Sequence, residues 1–236
     1  MTGAAQLKNH GGSVRLRAGW SKTTLTAGPG PILDVGSGAF PHPHASVICE
    51  RNLDDNTDRH GASAVIDDRL VVGDATSLPF RDGAFALVIV SHVAEHVEDP
   101  VALCRELQRV AHSGYIETPS ALAETLLPEP FHQWKVSRRG RRLVFARKSV
   151  SSKRLEWTSR HLYRWFYIGQ EDRGRPVVSL PPGAAGMIVA RMRWVIVGVL
   201  NRTHVLHTRM VFSAADPFDA VVVDDQSRRS SEVLAN

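Results

Sequence analysis

The sequence predicts an α/β fold built on an open, mostly parallel sheet. Two observations carry that expectation. The first is the stretch Pro31–Phe40, a short apolar strand (Ile32, Leu33, Val35) that meets an acid, Asp34, and breaks into two glycines, Gly36 and Gly38. Such a strand suits a buried parallel position, and the crevice beyond its C-terminal end is where open α/β sheets take nucleotide-like ligands. The second is a succession of strand-like runs downstream. Four of them end on or lead into polar groups: His44–Glu50, Leu70–Asp74, Phe85–His92 and Gly114–Pro119, the last preceded by a helical run.

Each element has its local reason. Residues 1–30 are polar and glycine-bearing and read as a loosely ordered leader, with Trp20 a core plug rather than a ligand platform. The crossover after Gly38 has little room for a helix, and Pro41 and Pro43 forbid a regular one, so it is expected as a loop or a single turn. Residues 52–66 read as a helix or turn, and Leu78–Gly83 as turn chemistry. Asp99 caps a helix whose first position is Pro100, and Val101, Leu103, Cys104, Leu107 and Val110 fall at helical spacing over 100–111. A β-hairpin turning near Gly140 is expected within 129–146. Residues 120–182 read as an insertion covering the site, 184–200 as helix, Thr208–Phe212 and Phe218–Val223 as a closing antiparallel pair, and the tail from Asp224 as frayed.

Composition narrows the class. A chain of 236 residues with 43% hydrophobic content can bury a sizeable core as one α/β domain with a small lid. Cys49 and Cys104 cannot form a disulfide framework and read as buried fillers, which points to a reducing cytoplasm. Residues 1–30 lack the apolar core of a secretory signal, and the greasiest run, Trp194–Leu200, is far short of the ~20 residues a membrane span needs. The net charge of +5 is uneven: Lys135 to Arg175 holds thirteen Lys or Arg against Glu156, Glu171 and Asp172, and the remainder is net acidic. That basic segment suits phosphate, a carboxylated metabolite, RNA, a membrane surface, or plain solvent.

Gly73-Asp74-Ala75-Thr76-Ser77-Leu78-Pro79-Phe80 and Glu95-His96-Val97-Glu98-Asp99-Pro100, set behind the Leu33-Asp34-Val35-Gly36-Ser37-Gly38 loop, make the series resemble the class I S-adenosylmethionine-dependent methyltransferases, small-molecule branch, over about residues 31–119. The resemblance implies a Rossmann-like, doubly wound, mostly parallel seven-stranded sheet with an antiparallel last strand and an inserted lid. It implies a cofactor-binding core over 31–119, a basic and aromatic lid over 120–182, a helix and closing strands over 183–224, and a tail from 225. The cofactor is then S-adenosyl-L-methionine. Asp34 lies toward its amino acid end, Glu50 is placed to accept both ribose hydroxyls, and Asp74 the adenine N6 hydrogens, with the Ala75 amide at the ring edge. Asp54 or Asp55 replaces Glu50 if the register of the second strand is shifted. Gly36, Ser37 and Gly38 form the close-approach loop. Phe40 stands where the family has a third glycine, which weakens the helix-dipole contribution and leaves the amides near Gly36–Ala39 as the main donors.

The run His92-Val-Ala-Glu95-His96 matches an inverted zinc-protease pattern, but it follows a strand rather than lying inside a helix, so that chemistry is rejected. His92 either touches the cofactor or closes the strand. His96, and with it His92, is the candidate base for a substrate hydroxyl, the alternative for His96 being a satisfied buried histidine that orients the loop. No residue is assigned as a metal ligand, although His92, Glu95 and His96 resemble a run that holds a divalent metal in some quinone-pathway O-methyltransferases. His132, Trp134, His161, Tyr163 and Trp165 wall a pocket or form the lid's own core. The resulting expectation is a cytoplasmic enzyme that O-methylates a small molecule such as a sugar, phenol, polyketide or lipid precursor. Two alternatives stand beside it: a nucleic acid methyltransferase guided by residues 135–175, which lacks the usual base-amine motif after strand four, and a cofactor-binding partner subunit without catalysis.

Overall fold

The computed structural model describes residues 14–19, 22–55, 62–129, 131–148 and 205–223, with a few positions between 171 and 199. The chain enters through an antiparallel hairpin, β1 (Val14–Ala18) and β2 (Thr23–Ala27). Five strands then build the body of the main sheet: β3 (Ile32–Val35), β4 (Val47–Glu50), β5 (Leu70–Val72), β6 (Leu87–Ser91) and β7 (Ser113–Pro119). Helix α1 (Pro100–Val110) links β6 to β7, and a short α2 (Ala121–Leu126) comes next. A second hairpin, β8 (Trp134–Arg139) and β9 (Arg142–Arg147), turns at Gly140 as its sequence predicts. Two-residue strands β10 (Glu171–Asp172) and β11 (Arg175–Pro176) pair with each other, and β12 (His207–Ser213) and β13 (Asp219–Val223) end the described chain.

Six strands form the main sheet in the order β12-β7-β6-β3-β4-β5. β3 to β7 are parallel, and β12 runs antiparallel to β7 at the edge. The chain leaves β3 in one direction through β4 and β5, then returns to the opposite side of β3 with β6. This is a doubly wound, Rossmann-like sheet whose direction reverses between β3 and β6, the place where such sheets hold ligands.

Successive residues on the central strands feed opposite faces, as the two-residue strand period requires. Leu33, Val35, Val88, Val90 and Ile116 pack toward α1 and the β8–β9 hairpin, meeting Leu103, Leu107, Trp134, Val136, Leu143 and Phe145 in one core. Ile32, Leu87, Ile89 and Tyr115 face the other way and are covered by Leu16, Ala18, Leu25 and Ala27 of the first hairpin. The loosely ordered leader expected over 1–30 is therefore corrected for residues 14–18 and 23–27: alternation of buried Leu and Ala with exposed Arg and Thr makes them a two-stranded cover. Trp20, Trp157, His161, Tyr163, Trp165 and the tail lie outside the described residues.

The crossover after β3 contains no helix, as the prolines dictate. Asp99 caps α1 by accepting the Val101 and Ala102 amides at 3.0 and 2.9 Å, with Pro100 at the first helical position. The closing antiparallel pair is a second correction. β12 pairs with β7, while β13 joins β9 in parallel to make a three-stranded sheet, β13-β9-β8. The cause is local: the chain turns at Ser213–Asp216, and Arg141 at the hairpin tip donates to the carbonyls of Val211, Asp216 and Pro217, while the Asp219 amide donates to the Arg141 carbonyl. That clamp steers β13 onto the hairpin edge. Both cysteines are buried, and burial pushes each thiol up to about 12, so neither is reactive. The helical positions described between 187 and 199 expose Met187, Ile188, Met192, Val195 and Val199. Among the described residues no helix is long and apolar enough to cross a membrane.

Candidate active site

The C-terminal tips of β3 and β4 each carry a buried carboxylate. Asp34 and Glu50 are both 4% exposed. Glu50 is the last residue of β4, whereas Asp54 and Asp55 lie beyond it and are exposed, so the register of the second strand puts Glu50 at the edge. The Asp34 carboxylate accepts the His42 amide at 2.7 Å. Burial pushes its pKa up to about 7, the nearby Glu50 charge adds to the rise, and the His42 amide and Arg69 oppose it. Glu50 Oε1 accepts the Gly38 amide at 2.5 Å and the Ser37 hydroxyl at 3.3 Å. The glycine loop therefore folds back on Glu50. The Gly36 amide donates to the Cys49 carbonyl, so the loop amides anticipated as donors to a ligand are engaged within the protein at both Gly36 and Gly38.

Gly36 explains why this loop tolerates no side chain. Its φ is +67°, and a Cβ there would lie 2.4 Å from Val93 Cγ2, across the switch between β3 and β6. The close approach holds the β3 tip and the segment after β6 together. Asp74 sits one strand further out, half-buried. Its Oδ1 accepts the amide and hydroxyl of Thr76 at 2.8 and 2.7 Å, and Oδ2 pairs with Arg51 at 3.3 Å. The Thr76 hydrogen bonds and the Arg51 charge hold the Asp74 carboxyl below its usual range. Ala75 is partly buried beside the core.

On the other side of the switch, β6, β7 and β12 bring together groups that sequence spacing linked only in part. His92 comes after β6 with a left-handed φ of +58°, rare for a side-chain-bearing residue, and its amide donates to the Glu117 carbonyl at 2.8 Å. Its ring lies between two fully buried carboxylates: Nδ1 is 3.2 Å from Glu95 Oε1, and Nε2 is 3.9 Å from Glu117 Oε1. Burial disfavours the imidazolium, but Glu95 and Glu117 outweigh it and hold His92 above the ordinary histidine range. Glu95 is correspondingly low despite burial, because His92, His96 and His132 surround it. Glu117 Oε2 accepts the Tyr115 hydroxyl at 2.7 Å and lies 3.6 Å from Arg209 Nε. The His207 ring meets His92 edge to face, centroids 5.5 Å apart. Burial drives His207 down to about 4, with the His92 and Arg209 charges pushing the same way and Glu117 opposing.

His96 stacks on Phe131 and meets His132 edge to face at 4.7 Å between centroids. His132 Nδ1 lies 2.6 Å from the buried Glu124, which also binds Lys148 at 2.5 Å. The entry to β8 pins the 92–97 segment: the Gln133 amide donates to the Glu95 carbonyl, the Gln133 side chain to the His96 carbonyl, and the Trp134 indole to the Val97 carbonyl at 2.7 Å. Thus Asp34, Ser37, Gly38 and Glu50 meet in one cluster, and His92 meets Glu95 in another. Asp74 stands apart with Thr76 and Arg51. Glu117, His207 and Glu124 are the residues sequence reading missed. Glu117 had a signal, an acid at the fifth strand's end. His207 had none, since only the β12–β7 pairing brings it in.

Residues 33–116 match the family model described as a methyltransferase domain. An uncharacterized methyltransferase of Mycobacterium sp. (strain KMS) is 35% identical over 116 residues, covering 46% of this chain and 44% of that protein. The aligned region thus spans less than half the length of these curated relatives. Ajmaline N-methyltransferase of Rauvolfia serpentina is 51% identical over 43 residues, 18% of this chain and 15% of its own. A solved S-adenosylmethionine-dependent methyltransferase from Mesorhizobium loti is 20% identical over 50% of this chain and 57% of that one, with a TM-score of 0.32, a likeness that adds nothing to the strand order above. The matched region is a class I methyltransferase domain, and the cofactor of that class is S-adenosylmethionine. Two buried carboxylates on neighbouring strand tips are of the right chemistry for a ligand with an ammonium group and a ribose diol.

Proposed function

We propose, from the premise that residues 33–116 are a class I methyltransferase domain, that this chain transfers a methyl group from S-adenosylmethionine to an oxygen of a small-molecule acceptor. The observation that carries the reading is the pair Asp34 and Glu50, both buried at the tips of adjacent strands beside the switch point. Bound S-adenosylmethionine supplies a methyl group already activated by its positive sulfur. The chain's task is to hold, orient and deprotonate. Asp34 takes the amine end, Glu50 the ribose hydroxyls, and Asp74 with the Ala75 amide the adenine edge. Gly36, Ser37 and Gly38 allow the close approach.

Deprotonation falls to His96 rather than His92. His92 has its two ring nitrogens turned toward the buried Glu95 and Glu117, at 3.2 and 3.9 Å, rather than toward an acceptor. His96 sits on the neighbouring loop, its ring set by Phe131 and His132. A sugar, phenol, polyketide or lipid-precursor hydroxyl is the acceptor class this crowd of imidazoles and carboxylates suits, because such a group has to lose a proton. The alkaloid relative's N-methyl transfer covers too short a match to displace that choice.

The test is calorimetry with adenosylhomocysteine, then a labelled-methyl transfer assay over a panel of hydroxyl and amine acceptors. Saturable binding that Glu50→Ala abolishes is the expected result. Wild-type protein that binds no adenosylhomocysteine ends the cofactor reading, and binding without transfer to any hydroxyl ends the O-methyl reading.

A further inference from the structure

We propose that His92, Glu117 and His207 form the seat of one divalent transition-metal cation, at the tips of β6, β7 and β12. One ligand atom from each of these three residues lies within 4.8 Å of the others. The separation of His92 Nε2 from Glu117 Oε1, 3.9 Å, is too long for a hydrogen bond. It is close to the edge of roughly 3–3.5 Å that metal–ligand bonds of about 2.1 Å imply, so a small inward shift completes the geometry.

Three further features point the same way. His207 is 8% exposed, and its Nδ1 is buried with no hydrogen-bond partner among the described residues. A buried polar atom left in that state is costly, and a cation is one remedy. The candidate ligands are also held from behind, as metal ligands usually are. Glu95 stands behind His92 Nδ1 at 3.2 Å, and the Tyr115 hydroxyl orients Glu117 at 2.7 Å. Finally, the three residues come from three neighbouring chain segments, the position after β6, β7 and the start of β12, and part of the His92 side chain, 27% exposed, reaches the surface while its Nε2 is buried.

Two imidazoles and one carboxylate select zinc, manganese, iron(II) or cobalt over magnesium and calcium, which prefer all-oxygen sets. Three protein ligands leave positions for an oxygen of the acceptor, whose hydroxyl a divalent cation acidifies. The seat itself does not depend on the methyl-transfer reading; its use in the reaction does. A neighbouring trio, Glu95, His96 and His132, also places three ligand atoms within 4.8 Å. Glu95 already faces His92 there, so the seat is assigned to the first trio and the second becomes a control.

The experiment titrates metal-free protein with Co²⁺, read by visible d–d absorption, and then displaces it with Zn²⁺. Wild type is expected to take one equivalent. His207→Ala is expected to weaken binding roughly 100-fold and His207→Asn about 10-fold or more, while His132→Ala leaves it unchanged. Glu117→Gln is scored only if its circular dichroism melt matches wild type, because Glu117 is buried; His207→Ala stands in for it otherwise. No saturable Co²⁺ binding, or binding lost in His132→Ala and kept in His207→Ala, overturns the assignment. Adenosylhomocysteine calorimetry on the same samples keeps the readings separate: a failed metal titration with intact nucleoside binding removes only the metal seat.

Discussion

Asp34 keeps its proton near neutral pH because burial and the Glu50 charge both penalise the carboxylate. The folded-state pKa of about 7 lies above the ordinary aspartate value of 3.8. Its contribution to stability is therefore complete below about pH 4 and is lost as pH rises through about 7. Ligand binding runs the other way, because the ammonium group of adenosylhomocysteine favours the ionised form. Its affinity should rise from about pH 5.5 to about 8, the window that brackets the raised value. The proton that Asp34 releases to buffer should appear as a dependence of the binding enthalpy on buffer ionisation. Asp34→Asn should flatten both trends; a persisting pH dependence would put the titrating group elsewhere. Glu50→Gln keeps the shape but removes the charge, and should cost about 1.5–3 kcal/mol of adenosylhomocysteine affinity by calorimetry, the worth of charge-assisted hydrogen bonds.

Among the elements, the glycine loop and the first hairpin carry the sharpest expectations. Gly36→Ala places a Cβ against Val93 at a left-handed φ and should lower stability by about 1–3 kcal/mol in denaturant melts while weakening adenosylhomocysteine binding. Val93→Ala in that background relieves the collision but not the backbone strain, so recovery should be partial. Leu25→Ala, in the core between hairpin and sheet, should cost about 2–4 kcal/mol. The parallel strands, α1 with its Asp99 cap, the helix-free crossover and the Gly140 hairpin were legible because each rests on local chemistry: strand period, capping, proline and turn residues. The role of residues 14–18 and 23–27 was not, since five-residue strands of Val, Arg, Leu, Thr and Ala mean little until Ile32, Leu87, Ile89 and Tyr115 present a face to cover. The partner of β13 was hidden for a similar reason, because Arg141, 70 or more positions away, decides it. For the site, Asp34 and Glu50 were readable as strand-end acids. The His92–Glu117–His207 group was not, because it exists only through pairings distant in sequence.

For the molecule as a whole, the two cores are joined through the same six-stranded sheet, so a ligand gripping the β3 and β4 tips should stabilise the entire fold. Adenosylhomocysteine at about 100 times its dissociation constant adds about 2.7 kcal/mol, which corresponds to a rise in Tm of roughly 5–10 °C for a domain this size. A single shifted transition in calorimetry is the expected trace; a split one would mean that the faces melt separately. The first hairpin has one more property. At its tip, Gly19 comes so near Glu117 that a Cβ would lie 2.6 Å from Oε1, and lower on the strands the Arg17 carbonyl meets the His42 ring at 2.9 Å. An N-terminal ribbon thereby reaches the buried Glu117, without sharing a backbone with β3 and β4. Turns of this kind change length cheaply over generations, so a lineage could reshape the surroundings of Glu117 by editing a few codons near its start while leaving the tips of β3 and β4 untouched.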